Sequence, residues 1–229
     1  MNYLATFDID NTLIKGSAGH IQALISAIET VYGLETSIDV INHHGMTDQE
    51  IIIRILEKHG IDPNIIEAGL IRCTDYMQRQ YARIIKSENI YILEGVIELL
   101  NRLDLNGFLL GLVTGNLEKI ARAKLGKIGI NRFFKFGGFG SDHINRANLL
   151  KIAVKRAGEK FGFDAGRLVF HFGDAPQDMR AAREAGVIPI GVTTGIFSAD
   201  ELNSAGAFKV FSSLKGTDEI LDTLLQTFI

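Results

Sequence analysis

Short runs of apolar residues recur along this 229-residue chain, with helix-patterned stretches between them. The first is Leu4-Ala5-Thr6-Phe7 and the second Phe108-Leu109-Leu110-Gly111-Leu112-Val113. Arg167-Leu168-Val169-Phe170-His171-Phe172, Val187-Ile188-Pro189-Ile190-Gly191-Val192 and Lys209-Val210-Phe211 follow. A strand that is apolar on both faces must be covered on both. A parallel sheet with helices on either side supplies that cover. These runs therefore predict an α/β chain with an open, doubly wound parallel sheet. With 46% hydrophobic and 22% charged residues, the chain has the apolar material for such a core and is not disordered in composition.

One segment breaks the rhythm. Residues 16–89 carry helical signals and no strand-like run. Ile21, Leu24, Ile25, Ile28 and Val31 follow helical spacing, with Gly33 as a stop. Thr47 and Glu50 have capping-box spacing ahead of an apolar run that ends before Gly60. Asp62-Pro63 pairs an N-cap with proline at the first helical position, and a long amphipathic stretch runs on to about Ile85. This is too much helix for one crossover. It predicts an inserted helical cap over 16–89, with 1–15 and 90–229 forming the core and Lys15-Gly16-Ser17 as the hinge.

Composition also narrows the partners. A formal net charge of −3 gives no electrostatic reason to expect nucleic acid or an anionic membrane. No stretch approaches the roughly 20 apolar residues of a membrane span. Met1-Asn2-Tyr3-Leu4 leads straight into a strand-like run, without a charged region and cleavage site. Cys73 is the single cysteine, so no intrachain disulfide forms and a reducing cytoplasm is the expected location. Its plain reading is a small, semi-buried helix residue.

The chemistry-bearing residues stand at strand ends. Asp8 and Asp10 follow the first run, in Phe7-Asp8-Ile9-Asp10-Asn11-Thr12-Leu13. Asp174 and Asp178 follow the third, in Phe172-Gly173-Asp174-Ala175-Pro176-Gln177-Asp178. Open parallel sheets bind ligands outside the carboxyl ends of their strands. Clustered carboxylates there are costly unless a cation or a proton relieves them, and hard oxygen donors suit magnesium. Thr114-Gly115-Asn116 closes the second run and leads into a helix, whose free amides make an anion site. Alone, the first pair reads as a solvated acidic turn and Thr114 as an ordinary cap. Gathered on one sheet edge, the three segments make a metal-assisted phosphoryl-transfer site.

In these motifs the chain resembles the haloacid dehalogenase-like hydrolases, and among them the phosphoglycolate phosphatase-like group with a helical cap. The matching segments are Asp-x-Asp-x-Thr at Asp8 to Thr12, the hydrophobic strand with Thr114, and Gly-Asp-x-x-x-Asp at Gly173 to Asp178. The resemblance implies an aspartyl-phosphate at Asp8, with Asp10 protonating the leaving alcohol and then activating water. It implies Mg2+ held by Asp8, Asp174 and the main-chain carbonyl of Asp10, with Asp178 binding through water or orienting its neighbours. Family dehalogenases lack a carboxylate at the Asp10 position, so the resemblance is to a phosphatase. The family's phosphate-binding lysine has no Lys-Pro counterpart in Gly140-Ser141-Asp142-His143-Ile144-Asn145-Arg146. Arg146 is the expected replacement, since arginine grips phosphate bidentately. Lys124 competes for the role and Lys151 is a third choice.

Gly45-Met46-Thr47-Asp48 is similar to a cap stretch that faces the active site in this group. Thr47 is therefore an expected substrate contact, with Asp48 beside it, though Thr47 also reads as a plain helix cap. His20 either reaches the substrate or lies on the cap surface. His43 and His44 are adjacent, without cysteine or acidic company at ligand spacing, and are not expected to hold a transition metal. His143 and His171 fall near the site but the chemistry does not require them. Phe133, Phe134, Phe136 and Phe139 read as buried packing and not as a base-stacking platform. The expected reaction is hydrolysis of a small phosphate monoester, phosphoglycolate-like or a sugar phosphate, by a monomer or homodimer. The alternatives are phosphoryl transfer like that of β-phosphoglucomutase and a non-catalytic ligand-binding role.

Overall fold

The computed structural model describes residues 3–164 and 166–226. In chain order they form β1 (Tyr3–Phe7), β2 (Ile14–Lys15), α1 (Ala18–Tyr32), α2 (Asp48–Lys58), α3 (Pro63–Ile84) and β3 (Tyr91–Ile92). Then come α4 (Val96–Leu105), β4 (Phe108–Thr114), α5 (Glu118–Lys127), β5 (Phe136–Phe139), α6 (Arg146–Phe161) and β6 (Leu168–Gly173). The remainder is α7 (Pro176–Glu184), β7 (Ile188–Val192), α8 (Ala199–Ser204), β8 (Lys209–Phe211) and α9 (Thr217–Gln226). Met1 and Asn2, expected to lead straight into the first strand, lie outside the described residues.

The main sheet has six strands in the order β5-β4-β1-β6-β7-β8. All its pairings are parallel, with Phe7 of β1 opposite Leu112 of β4 and Phe172 of β6. Alternate residues of each strand feed opposite cores. Phe7, Leu110, Leu112, Phe170 and Phe172 pack under α4, α5 and α9. Leu4, Leu109, Val113 and Val169 pack against α6 and α7 on the other face. Phe7 and Phe172 stack with ring centroids 4.6 Å apart. Burial on both faces is why these strands read as unbroken apolar runs.

β5 was not expected as a strand. Phe136-Gly137-Gly138-Phe139 was read as aromatic packing, and its residues are buried. They also form an edge strand, with Gly111 opposite Phe136. Glycines weaken a strand's local signature, but here close packing requires one. A Cβ at Gly138 would run into the backbone of Leu149 on α6. β2 and β3 pair antiparallel as a two-residue ribbon, Ile14 with Ile92 and Lys15 with Tyr91, too short for a periodic signal.

That ribbon sits where the chain leaves and rejoins the sheet, and α1, α2 and α3 lie between its strands. These helices build their own apolar cluster around Leu24, Ile28, Ile52, Ile55 and Met77, joined by Leu117 and Ile120 of the α5 region. Cys73 is buried there, and burial pushes its thiol up to about 12. α1 stops at Gly33, which takes a left-handed φ of 68°. At α3, Asp62 accepts from the Asn64 amide at 2.8 Å, with Pro63 at the start of the helix. At α2, Thr47 accepts from the Glu50 amide at 3.2 Å. Glu50 does not complete the box; its carboxylate lies 3.9 Å from Arg54. No helix among the described residues is long and apolar enough to cross a membrane.

Candidate active site

The chain order of the sheet reverses direction at β1, which lies between β4 and β6, so a crevice opens beyond its carboxyl end. Asp8 enters that crevice directly, its amide still donating to the Phe172 carbonyl at 2.9 Å. Asp174 and Asp178 arrive from the end of β6 and the first turn of α7. One carboxylate oxygen from each of Asp8, Asp174 and Asp178 lies within 4.8 Å of the others, and all three residues are buried. Thr12 Oγ1 donates to Asp174 at 3.3 Å, and the Ala175 amide donates to Asp178 at 3.1 Å. Gly195 closes the far side, where a Cβ would collide with the Asp174 carboxylate.

One guanidinium faces this cluster. Arg146, the first residue of α6, places Nη2 2.9 Å from Asp8 and Nη1 2.7 Å from Asp178. The charge balance remains negative. Burial pushes Asp8 up to about 6, although Arg146 opposes the shift. Burial, followed by Asp178 and Asp8, pushes Asp174 up to about 8. Burial is the largest influence and acts against ionised Asp178, but Arg146, His171 and the Ala175 amide together outweigh it and hold its carboxyl low. His171 Nε2 lies 3.5 Å behind Asp178, and its Nδ1 lies 3.0 Å from Thr6 Oγ1. Three buried carboxylates sharing one cation, two of them pushed toward protonation, fit a divalent ion with hard oxygen ligands.

Asp10 stands apart from the cluster. Lys124 donates to both its oxygens, at 2.8 and 2.7 Å, while the Asn116 amide nitrogen and Ser17 hydroxyl donate at 2.8 and 2.6 Å. Burial is the largest influence and opposes ionisation of Asp10, but the charges of Lys124 and His20 and the hydrogen bonds from Lys124 and Ser17 together hold the carboxyl far below the usual range. The side chain of Asp10 is thus bound to lysine and absent from the carboxylate cluster, unlike the expectation that placed Asp10 among the metal-binding residues. Lys124, with no solvent exposure, also reaches Asn116 Oδ1 at 2.7 Å and His20 Nδ1 at 3.0 Å. His20 Nε2 is 3.1 Å from Asp48, whose carboxylate accepts from the Leu117 amide at 2.8 Å.

The expected phosphate-side residues divide. Thr114, Gly115, Asn116 and Arg146 line the cavity above the carboxylates, along with Asp8, Asp10, Asp174 and Asp178. Thr114 accepts from the Asn116 side chain at 2.8 Å and hydrogen-bonds Asp8. Thr47 does not line the cavity. Its hydroxyl accepts from the Glu50 amide and donates to the Ile144 carbonyl at 3.3 Å, which consumes it as a cap and an anchor. Asp48 takes the wall position instead. Arg146 meets Asp8, Lys124 meets Asp10, and Lys151 is exposed on α6. His143 is exposed and accepts from the Asn145 amide at 2.8 Å. His43 and His44 stack on one another at 4.6 Å in the cavity wall.

Other participants have no chemical role assigned from sequence. Ser17 was read as part of the hinge, yet it does not cap α1 and instead binds Asp10. Asn11 adopts φ 59°, and its carbonyl accepts from Thr194 Oγ1. The Gln177 side chain donates to the His44 carbonyl at 2.8 Å, tying the loop before α2 to α7. These are contacts between distant segments and carry no local spacing signal.

Residues 5–192 match the sequence pattern of a haloacid dehalogenase-like hydrolase. Among curated proteins, the chain is 26% identical over 211 residues to "Probable phosphatase IndB" of Dickeya dadantii (strain 3937), covering 90% of this chain and 87% of that one. It is 28% identical over 193 residues to the phosphoglycolate phosphatase of Agrobacterium fabrum, covering 84% and 81%. Among solved structures, a hydrolase from Pseudomonas syringae shares the fold with a TM-score of 0.72 and 22% identity, covering 96% of this chain and 98% of the other. With the matched pattern spanning most of the sheet and every strand end that builds the crevice, the chain belongs to the haloacid dehalogenase-like hydrolases.

Proposed function

We propose that this hydrolase is a magnesium-dependent phosphatase acting on a small phosphate monoester. The observation that carries the reading is the Asp8 carboxylate, held at the floor of a cavity by Arg146 and flanked by Asp174 and Asp178. The names of the relatives, phosphatase and phosphoglycolate phosphatase, agree with it. Asp8, Asp174 and the Asp10 carbonyl would hold the ion, with Asp178 orienting them. When bound, magnesium would neutralise the crowded carboxylates and polarise the phosphoryl oxygens.

In this reading an Asp8 oxygen attacks phosphorus and the ester P–O bond breaks, leaving an aspartyl-phosphate. The departing alcohol takes a proton from Asp10. Water then attacks the same phosphorus, gives its proton to Asp10, and inorganic phosphate leaves as Asp8 is regenerated. Free Asp10 is an anion bound to Lys124, so its acid role needs a proton taken up as the substrate's negative charge enters beside it. Arg146 and the Thr114-Gly115-Asn116 turn grip the phosphoryl oxygens. Residues 16–89 act as the cap over the core of 1–15 and 90–229, excluding water during transfer.

The test is phosphate release from a panel of phosphomonoesters with and without Mg2+, beside Asp8→Asn. Magnesium-dependent release that disappears in the variant is expected. Isomerised product without net phosphate release would favour a mutase, and unchanged release by Asp8→Asn would overturn the assigned nucleophile.

A further inference from the structure

Besides its carboxylate floor, the cavity of about 460 Å3 has an apolar side. Leu24, Ile38, Met46 and Ile51 line it from the helical insertion, and Ile196 and Phe197 from the loop after β7. Ile196 is 67% exposed in the crevice mouth. An open apolar surface beside a reactive centre is a place for ligand to cover.

Most polar side chains on the same walls are already engaged. Ser17 donates to Asp10, Asp48 accepts from Leu117 and meets His20, and Asn116 joins Asp10 to Lys124. Arg146 is held by Asp8 and Asp178. Asn11, Lys15, His43 and His44 are the lining polar side chains that these contacts leave over. The two imidazoles lie stacked, and the His44 ring meets Phe197 edge-on at 6.1 Å. Burial, reinforced by His44, holds His43 below the ordinary imidazole value, so it offers a neutral ring. A sugar would bring several hydroxyls to walls with few free partners, and hydroxyls buried without partners are penalised. Among these leftover side chains, a glycolate carboxylate would find one ammonium, Lys15.

We propose that the alcohol half of the substrate is an uncharged, apolar group, aromatic or branched alkyl, lodged between the α1–α2 side of the insertion and the Ile196-Phe197 loop. The inference rests on the phosphatase reading and narrows it away from phosphoglycolate and sugar phosphates. An apolar leaving group covers Ile196 and Phe197 and removes water from the reacting centre as it binds.

The experiment compares kcat/KM for benzyl phosphate, phosphoglycolate and glucose 6-phosphate in the presence of Mg2+. All three leave as alcohols attached to saturated carbon, so differences among them report the pocket more than leaving-group chemistry. Benzyl phosphate is expected to lead by about tenfold or more, the scale of apolar pocket discrimination. Ile196→Lys, at an exposed position, is expected to remove about tenfold of that lead, mainly through KM. Equal or better turnover of phosphoglycolate or glucose 6-phosphate overturns the apolar-substrate inference alone. So does a phosphoglycolate lead that Lys15→Met abolishes. No magnesium-dependent release from any of the three, nor from a wider phosphomonoester panel, overturns the phosphatase reading and this inference with it.

Discussion

At the scale of single residues, the site separates two cations by their partners. Arg146 meets Asp8 and Asp178, whereas Lys124 meets Asp10, Asn116 and His20. A guanidinium suits the first place because its planar fork reaches two carboxylates and can turn to phosphate oxygens. A fully buried ammonium suits the second because its donors find compact acceptors on several sides. Removing either should slow turnover, for different reasons. Arg146→Ala is expected to lose about 10²–10³-fold in kcat, the scale of a lost donor to developing charge; a near-wild-type rate would remove Arg146 from the proposed machinery. Lys124→Met is expected to destabilise the fold by about 1–3 kcal/mol in urea unfolding, because it removes the charged partner of Asp10, whose side chain stays partly open to the cavity. Saturating Mg2+ should not restore that loss, since Lys124 lies outside the carboxylate cluster. Sequence spacing placed both cations near the site and left the choice between them open, because only the fold reveals which carboxylate each one reaches.

At the scale of elements, strand ends and helix starts aim the side chains. Arg146 is the first residue of α6, and Asn145 caps that helix by accepting from the Asn148 amide at 3.1 Å. The helix can approach β5 closely only because Gly138 leaves room for the Leu149 backbone. Gly138→Ala should therefore cost about 1–3 kcal/mol through overpacking. It should also lower kcat by shifting Arg146, although it lies far along the chain from Asp8, Asp174 and Asp178. Urea unfolding and turnover measured on the same preparation check this, and a change in stability without a change in rate would uncouple α6 from the site. α2 shows the opposite case. Asp48 in its first turn accepts from the Leu117 amide at the start of α5, so the insertion is fastened to the turn after Thr114 by a side chain from another element. The capping pattern at Thr47 and Glu50 located the start of α2, and the likeness of Gly45-Met46-Thr47-Asp48 to a cap stretch pointed to Thr47 or Asp48 without choosing; the fold turns Asp48 to the cavity. A sequence pattern identifies a helix start without stating which of its first residues turns toward a distant partner.

For the molecule as a whole, the carboxylate cluster sets a link between pH, metal and stability. Asp174 is pushed up from 3.8 to about 8 and Asp8 to about 6. A group whose folded pKa is raised contributes stability below its unfolded pKa and loses it as pH rises through the folded value. Metal-free protein should thus lose thermal stability between about pH 4 and about pH 8. Magnesium prefers the ionised carboxylates, so the rise in Tm that it causes should grow across the same window. At a hundredfold excess over Kd the stabilisation is about 2.7 kcal/mol, or roughly 5–10 °C for a chain of this size. A magnesium-induced shift that stays flat across the window would show that the cluster does not hold the ion. The sequence by itself determined the α/β class and the strands of the sheet centre, because burial on both faces leaves unbroken apolar runs. It also placed Asp8, Asp10, Thr114, Asp174 and Asp178 at strand ends, where parallel topology brings distant segments to one edge. Only the tertiary structure decided that Asp10 belongs to Lys124, that Thr47 is spent on Ile144 and Glu50, that β5 joins the sheet, and that the cavity above the carboxylates has an apolar side. Each of these depends on contacts between segments far apart in the chain, and a linear pattern records what one segment needs, not which distant segment satisfies it.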